Sequence, residues 1–240
     1  MRFKKVVKTN TNKLHKFDRL ERLIGRQNLN QLQKKSVLVL GCGGVGGYVV
    51  EALARSNIGT LILVDFDQVE ETNLNRQIVA LQSNIGKDKV ELLKERIHDI
   101  NENCEVISIK ELITEDNISM LFDYSIDYFV DACDSVSTKK CVIRECLKRK
   151  IPFLSCMGTA KKLDPSKLEI TDIRKTKNDP LARIIRKYVK EEGYKQKIEV
   201  LSSTEIPQKT EGLGSSIFVP ASAGLFIASH VLQKLLKEKS

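Results

Sequence analysis

The stretch from residue 37 to residue 67 constrains the fold of this chain more than any other. It begins with an apolar run, Val37 to Leu40, of the length of one buried strand. A glycine-rich turn and a helical stretch follow, and a second apolar run ends at Asp65. This order of strand, glycine turn, helix and strand with a terminal acid is typical of a mononucleotide-binding βαβ unit.

The glycines of the turn have separate physical roles in such a unit. Gly41 permits the tight turn, Gly43 leaves the backbone open to a phosphate, and Gly46 lets the helix approach the strand closely. Unpaired N–H groups at the helix start then face an anion. The Asp65 carboxylate can accept hydrogen bonds from ribose hydroxyls. A turn used only for close packing is the alternative, but its position between strand and helix favours nucleotide binding.

The rest of the chain alternates apolar runs of strand length with amphipathic helical stretches. This alternation predicts an α/β fold with a Rossmann-like, doubly wound, mostly parallel sheet. Helices are predicted over residues 15–24, 27–32, 86–100, 117–122, 136–149, 180–192 and 221–237. Strands are predicted over 105–110, 128–132, 151–155, 198–201 and, at an edge or antiparallel, 168–173.

We expect residues 1–240 to form a single domain. Residues 1–35 would form an N-terminal helical arm whose first 13 residues are a frayed tail. Residues 158–216 would form a basic insert or lid that ends in a Gly- and Pro-punctuated loop.

Two further segments carry residues suited to phosphates and metal. Asn73 and Arg76 lie in a polar connection after Asp65, and such connections are often functional. Lys89 lies in the first turn of the helix over 86–100, where a cation is unfavourable unless an anion is near. This position indicates a contact with a phosphate, and the alternative is that Lys89 is an ordinary exposed lysine. Asp134 follows a strand, so it could hold Mg²⁺, cap the next helix, or do both.

Charge is concentrated in one part of the chain. Residues 137–200 contain 18 Lys and Arg against 8 Asp and Glu, while the whole chain has a net charge of +9. This excess indicates a polyanionic partner such as RNA. A solvated lysine-rich surface is an equally good explanation on charge alone.

Cysteine spacing and hydropathy restrict the class of protein. The six cysteines form no C-x-x-C pair, which argues against a zinc ribbon or a dithiol redox motif. No apolar run reaches about 18 residues, and the basic N-terminus lacks the apolar core of a secretory signal. We therefore expect a cytoplasmic protein without a membrane partner.

Taken together, these motifs resemble the ubiquitin-activating-enzyme-like adenylating family of the ThiF and MoeB type. The similarity runs from about residue 17 to 236 and rests on the elements Gly41-Cys42-Gly43-Gly44-Val45-Gly46, Val64-Asp65-Phe66-Asp67, Asn73-Leu74-Asn75-Arg76-Gln77, Lys89 and Asp131-Ala132-Cys133-Asp134-Ser135. The chain is most similar to members that act on tRNA. It shares with them Arg22-Leu23-Ile24-Gly25, Asp179-Pro180-Leu181-Ala182 and Ser203-Thr204-Glu205. Sulfur-carrier-activating members usually hold zinc with two C-x-x-C pairs, which this chain lacks.

The resemblance implies ATP and Mg²⁺ as cofactors and assigns residues to them. The implied nucleotide-binding residues are Gly41, Gly43, Gly44, Gly46, Asp65, Asp67, Asn73, Arg76, Gln77 and Lys89. Asp134 would hold the metal, and Arg76 and Lys89 would hold the polyphosphate. Arg22, or else Arg19, would enter the partner's site in a homodimer. The implied RNA-binding residues are Lys161, Lys162, Arg183, Arg186, Lys187 and Lys190.

The implied reaction is the ATP-dependent dehydration of a threonylcarbamoylated adenosine beside the anticodon of tRNA, through an acyl-adenylate. A sulfur-relay or sulfur-carrier-like protein is a further partner that the resemblance allows. The main alternative is an adenylating activator of a sulfur-carrier or ubiquitin-like protein, which would need Cys42, Cys133 or Cys156 as a thiol. A nicotinamide-dependent dehydrogenase and a non-catalytic RNA-binding module are two others. Neither needs Asn73, Arg76, Lys89 and Asp134 together.

Overall fold

The computed structural model describes residues 14–237, so the predicted frayed tail over 1–13 lies outside the described residues. Its helices are α1 (Asp18–Ile24), α2 (Arg26–Leu32), α3 (Gly46–Ala54), α4 (Lys89–Ile100), α5 (Val136–Arg149), α6 (Pro180–Glu191) and α7 (Phe218–Lys237). Its strands are β1 (Ser36–Leu40), β2 (Thr60–Val64), β3 (Glu105–Ile109), β4 (Tyr128–Asp131), β5 (Phe153–Cys156), β6 (Leu168–Asp172) and β7 (Glu199–Ser203).

The seven strands form one sheet in the order β3-β2-β1-β4-β5-β7-β6. All neighbouring strands are parallel except β6, which runs antiparallel to β7 at the edge. The predicted mostly parallel α/β sheet and the predicted edge strand are therefore confirmed. The order reverses between β1 and β4, and ligands of open α/β sheets bind at the carboxyl ends of the strands beside such a reversal.

The sheet is covered on both faces, as the near-continuous apolar runs of its strands require. Alternate side chains of β1 enter two separate cores because successive strand residues point to opposite faces. Val37 and Val39 pack in the core that includes α3, α4 and α7. Leu38 and Leu40 pack in the core that includes α5 and α6.

Helix α7 packs along α3 and buries one stripe of its side chains, including Val219, Ala223 and Ile227. By length and composition alone, α7 would be long and apolar enough to cross a membrane, and 44% of its most apolar window is buried inside the protein. It also approaches Glu199 of β7, which accepts hydrogen bonds from Lys197, His230 and Lys234. Burial opposes the charge of Glu199, but these three donors outweigh it and lower its pKa to about 2.

Helix α4 begins later than its sequence pattern predicts. The segment 86–89 is bonded to the chain that follows β2: the Gly86 N–H donates to the Val69 carbonyl and the Lys89 N–H donates to the Asp67 carbonyl. These backbone bonds hold residues 86–88 outside the helix, so the first helical residue is Lys89. The helix predicted over 117–122 is a short 3₁₀ helix, Ile118–Asp123, and the side chain of Asn117 before it accepts a hydrogen bond from the Thr114 N–H.

Candidate active site

The glycine turn lies at the carboxyl end of β1. Gly41 has a φ of 89°, and a Cβ there would lie 2.7 Å from the Cys133 nitrogen. A Cβ on Gly46 would lie 1.7 Å from the Gly41 carbonyl oxygen, so no side chain fits between helix and strand. A Cβ on Gly43 would meet no atom closer than 3.7 Å. Gly43 therefore leaves an open approach to the backbone rather than a tight packing contact.

Asp65, directly after β2, is fixed against this turn. One carboxylate oxygen accepts a hydrogen bond from the Cys42 N–H at 2.6 Å, and the other accepts from the Asp67 N–H at 2.8 Å. Burial raises the pKa of Asp65, and the two N–H donors act against that rise. The carboxylate is thus held rigidly at the wall of the cavity beside the turn.

Lys89 opens α4 and is almost fully buried, with 4% of its side chain exposed. Its Nζ lies 2.7 Å from an Asp67 carboxylate oxygen, and both residues line the same cavity as the glycine turn. The alternative that Lys89 is an ordinary exposed lysine is therefore wrong. A buried ammonium with one half-exposed carboxylate partner retains donors for a phosphate.

A short turn over Glu71–Asn73 and the residues after it present three polar side chains to the cavity: Asn73, Arg76 and Gln77. The Asn73 side chain accepts from the Glu70 N–H, which fixes the turn. Arg76 donates through Nη1 to the Thr72 carbonyl, while its Nε and Nη2 contact no acceptor among residues 14–237.

Gln77 is the third of these side chains and faces the turn. Its side-chain nitrogen is the atom that a Cβ on Gly43 would approach at 3.7 Å. Its Oε1 is buried and has no hydrogen-bond partner among the described residues. Buried polar atoms without partners are rare in folded proteins, so Gln77 has hydrogen-bonding capacity to offer a ligand.

Asp134 lies between β4 and α5. Sequence reasoning allowed it to cap α5, but that cap is Ser135, whose hydroxyl accepts from the Thr138 N–H. The Asp134 carboxylate is exposed at the cavity, and no hydrogen bond or ion pair ties it to another residue within 14–237. Mg²⁺ is usually bound by one or two carboxylates together with substrate phosphates. A free carboxylate beside the glycine turn fits that pattern, and the described residues contain no cluster of three metal-ligating groups.

A buried ion pair supports the strand ends beneath Asp134. The Lys139 Nζ lies 3.0 Å from an Asp131 carboxylate oxygen, and both side chains are 0% exposed. The Ser155 hydroxyl and the Cys133 N–H also donate to Asp131. Burial disfavours the Lys139 ammonium, but Asp131 more than offsets this and raises its pKa. Lys139 is therefore part of the interior, although its charge counted toward the basic stretch in the sequence.

One cavity of about 820 Å³ is lined by Gly41, Gly43, Gly44, Asp65, Asp67, Asn73, Arg76, Gln77, Lys89 and Asp134, among others. Its first half is formed by the glycine turn and the ends of β1, β2 and β4. Its second half is formed by residues 156–162, by the start of α6 and by parts of the segment 205–216. Asn75 joins the halves, since its side-chain N–H donates to the Ser215 carbonyl at 3.0 Å. Sequence reasoning did not find this contact, which spans 140 residues.

The predicted RNA-binding residues divide into two groups. Arg183, Lys187 and Lys190 are exposed on α6 and, with the half-buried Arg186, line a groove of about 600 Å³. Arg174 and Lys195 also line this groove and are not among the RNA-binding residues predicted from the sequence.

The two adjacent lysines lie elsewhere, at the large cavity. Lys161 is half-buried there. Lys162 is buried with 1% of its side chain exposed and pairs with Asp179, so its prediction as a surface phosphate contact is wrong.

The two candidate arginines of α1 are exposed. Arg22 pairs with Asp18 at 2.8 Å, its side chain is 70% exposed, and it does not line the cavity of its own chain. Arg19 is also exposed, and Leu23 beside them is 82% exposed. Which of the two arginines enters a site therefore stays a prediction.

The cysteines near the cavity are poorly suited to be nucleophiles. Burial raises the pKa of Cys156 to about 12. Burial likewise raises the pKa of Cys42 and of Cys133 well above the ordinary thiol value, with nearby carboxylates adding to the effect. Because the thiolate is the reactive form, none of these three has the environment of a reactive cysteine.

Fold and site together define an ATP-dependent adenylating protein of the ThiF type. Residues 17–239 match the ThiF family, and the chain belongs to that family. The predicted family is thereby confirmed.

Among the relatives, two are informative, and one of them is known from two crystal structures. The chain is 44% identical over 244 residues to the tRNA threonylcarbamoyladenosine dehydratase of Bacillus subtilis (strain 168), which covers 94% of this chain and 96% of that protein. The crystal structure of the Escherichia coli tRNA N6-threonylcarbamoyladenosine dehydratase TcdA in complex with ATP is 36% identical, with a TM-score of 0.87 over 92% of this chain and 93% of that one. Its complex with AMP has the same identity and TM-score and covers 92% of this chain and 94% of that one.

Proposed function

We propose that the protein uses ATP to dehydrate N6-threonylcarbamoyladenosine in tRNA, next to the anticodon. The observation that carries the proposal is a cavity that gathers Arg76, Lys89 and Asp134 around the glycine turn and extends between residues 156–162 and the start of α6. Relatives that share 36–44% of their residues over nearly the whole chain are dehydratases of this kind, one of them in complex with ATP.

In the first step, the carboxylate of the modification attacks the α-phosphorus of ATP. Pyrophosphate leaves, and an acyl-adenylate forms. In the second step, a nitrogen or oxygen of the same modification attacks the activated carbonyl and gives up its proton. The bond between that carbonyl carbon and the phosphate oxygen breaks, and AMP leaves with one of the original carboxylate oxygens. The base has then lost one water. The ring closes within the substrate, so no protein nucleophile is needed, in keeping with the raised pKa of the nearby thiols.

The residues of the cavity act mainly by position and charge. Lys89 and the free N–H groups of Arg76 would hold the polyphosphate, and Asp65 would hold the ribose. Gln77, with its unpaired Oε1, would orient the phosphates together with Asn73. When Mg²⁺ is bound, it neutralises charge on the phosphates, and Asp134 is the residue that would hold it.

We propose further that the enzyme acts as a homodimer. Arg22 and Arg19 are exposed and lie outside the cavity of their own chain, so they would complete the site of a second copy. Phe218, Leu225 and Phe226 lie on one exposed face of α7, are 62%, 51% and 48% exposed, and begin two residues before Pro220 at the cavity wall. A contiguous exposed apolar face of this kind is typical of a protein interface.

The basic groove along α6 would bind phosphates of the tRNA. Arg183, Lys187 and Lys190 are exposed there, and the start of the same helix lines the cavity. Phosphate contacts of this kind make affinity depend on salt. The place of action would be the cytoplasm, without a membrane.

The test is to incubate the protein with ATP, Mg²⁺ and threonylcarbamoylated tRNA and to weigh the digested nucleosides. We expect a loss of one water, about 18 Da, that requires ATP. With ¹⁸O in the carboxylate, the label should appear in AMP. Asp134→Ala should abolish the loss, whereas Asp123→Ala, an exposed acid before the opposite end of β4, should not.

An unchanged mass with competent tRNA would refute the dehydratase function. In that case, ATP–pyrophosphate exchange with carrier proteins ending in Gly-Gly tests the alternative, the activation of a sulfur-carrier protein.

A further inference from the structure

Lys162 and Asp179 form a second buried ion pair, in the second half of the cavity. The Lys162 Nζ lies 3.3 Å from an Asp179 carboxylate oxygen, with 1% and 0% of the two side chains exposed. The same Nζ donates to the Gly158 carbonyl at 2.6 Å. One lysine thus ties the loop after β5 to the residue that precedes α6.

Asp179 also determines where α6 begins. Its other carboxylate oxygen accepts a hydrogen bond from the Ala182 N–H at 2.9 Å, which caps the helix, and Pro180 occupies the first helical position. The start of α6 lines the cavity, while its exposed basic residues line the groove proposed for tRNA. The helix therefore connects the two sites directly.

The loop after β5 packs closely against the Asp179 carboxylate that precedes α6. A Cβ on Gly158 would lie 3.3 Å from both carboxylate oxygens of Asp179, so the loop and the carboxylate have little room to shift. A buried charge whose partner is lost is strongly unfavourable, which holds both groups in this one arrangement.

We infer that Lys162 and Asp179 are positioning residues that hold α6 in a fixed position relative to the cavity. A tRNA bound along α6 then places its modified base at the adenylation site. This inference rests on the proposed function. Misplacement of a reacting group by about 1 Å can lower a rate by about 100-fold. The pair acts through α6 rather than by touching ATP, so it affects catalysis on bound tRNA and leaves nucleotide binding unchanged.

The test uses Lys162→Met, Asp179→Asn and the double variant. Asn at position 179 keeps an oxygen for the helix cap, and the double variant leaves no unpaired buried charge. Lys34→Met is the matched control, since Lys34 is exposed ahead of β1 at the opposite end of the strands. The measurements are the melting temperature, the Kd for ATP, and kcat and KM with threonylcarbamoylated tRNA.

We expect both single variants to lose stability and the double variant to regain it. The double variant should bind ATP as the wild type does, keep the KM for tRNA within about threefold, and lose about 100-fold in kcat. A double variant with wild-type stability and a kcat within threefold of wild type would show that the pair is only structural. That result would overturn the inference.

A further variant, Gly158→Ala, tests the inference if the double variant does not fold. Gly158→Ala changes no charge, but its methyl group presses on the Asp179 carboxylate. We expect kcat to fall at least tenfold with the Kd for ATP unchanged, and an unchanged kcat would overturn the inference. If the wild-type protein itself leaves the tRNA mass unchanged, the proposed function fails instead, so the two failures are distinguishable.

Discussion

Gly46→Ala and Gly43→Ala should separate the two roles of the glycine turn, close packing and phosphate approach. A methyl group on Gly46 would lie 1.7 Å from the Gly41 carbonyl oxygen, about half of a normal contact distance. Gly41 has little room to move away, because its backbone packs so closely that a Cβ on it would lie within 2.8 Å of the backbone of Ala132. Both obstacles are backbone atoms, so the strand and helix must separate.

The size of the effect follows from this overlap. Overpacking of a rigid core costs about 1–3 kcal/mol, and an overlap between backbone atoms belongs at or above the upper end of that range. For a chain of this size, a loss of about 3 kcal/mol lowers the melting temperature by about 6–12 °C. A methyl group on Gly43 meets its nearest atom at 3.7 Å, which is an ordinary contact. The melting temperature of Gly43→Ala should therefore change little.

The assay pairs thermal unfolding with calorimetric ATP binding. Gly46→Ala should unfold early, whereas Gly43→Ala should unfold normally but bind ATP at least tenfold more weakly, because its methyl group occupies the approach of the phosphate. Normal stability of Gly46→Ala would show that the packing argument is wrong. Wild-type ATP affinity of Gly43→Ala would show that no phosphate passes over this backbone.

Three other predictions address single side chains. Lys89→Met should weaken ATP binding by about 10- to 100-fold, which is the range for the loss of one charged hydrogen bond. The stability of the protein should hardly change, because the half-exposed Asp67 stays hydrated. An ATP affinity equal to that of the wild type in a titration would contradict this prediction. Because the pKa of Glu199 is lowered from 4.5 to about 2, its contribution to the free energy of unfolding is complete above pH 4.5 and is lost as the pH falls toward 2. In Glu199→Gln, the free energy of unfolding should therefore depend less on pH between 4.5 and 2. Cys133→Ala and Cys156→Ala should retain dehydration of tRNA in the mass assay, and complete loss in either would point to a thiol intermediate.

Local patterns were sufficient for much of the fold. The pattern from β1 to β2 predicted the nucleotide-binding unit, because strand, turn and helix signals there are consecutive in sequence. Helix α5 has the predicted bounds, Val136–Arg149, since a capping serine precedes it and a left-handed residue, Lys150, follows it. The seven-stranded order required more than these signals, because it depends on which distant strands pair.

The errors arose where distant contacts determine the environment of a side chain. Lys161 and Lys162 are adjacent and identical in type, yet only Lys162 is fully buried, because Asp179, 17 residues away, supplies its partner. Lys139 is likewise interior because Asp131 lies beside it on β4. Counting charges along the chain cannot separate a buried cation from an exposed one. The ATP-site assignments themselves stay predictions until variants are measured.

Three buried amines follow from these ion pairs: Lys89, Lys139 and Lys162, whose side chains are 4%, 0% and 1% exposed. Acylating reagents modify lysines only where a neutral amine meets the reagent in solvent. In the native protein these three should resist labelling while exposed lysines react, and they should become reactive when their surroundings open. Peptide mapping after brief acetylation would therefore give a residue-level footprint of both halves of the cavity. It would do so without substrate, nucleotide or any assay of turnover.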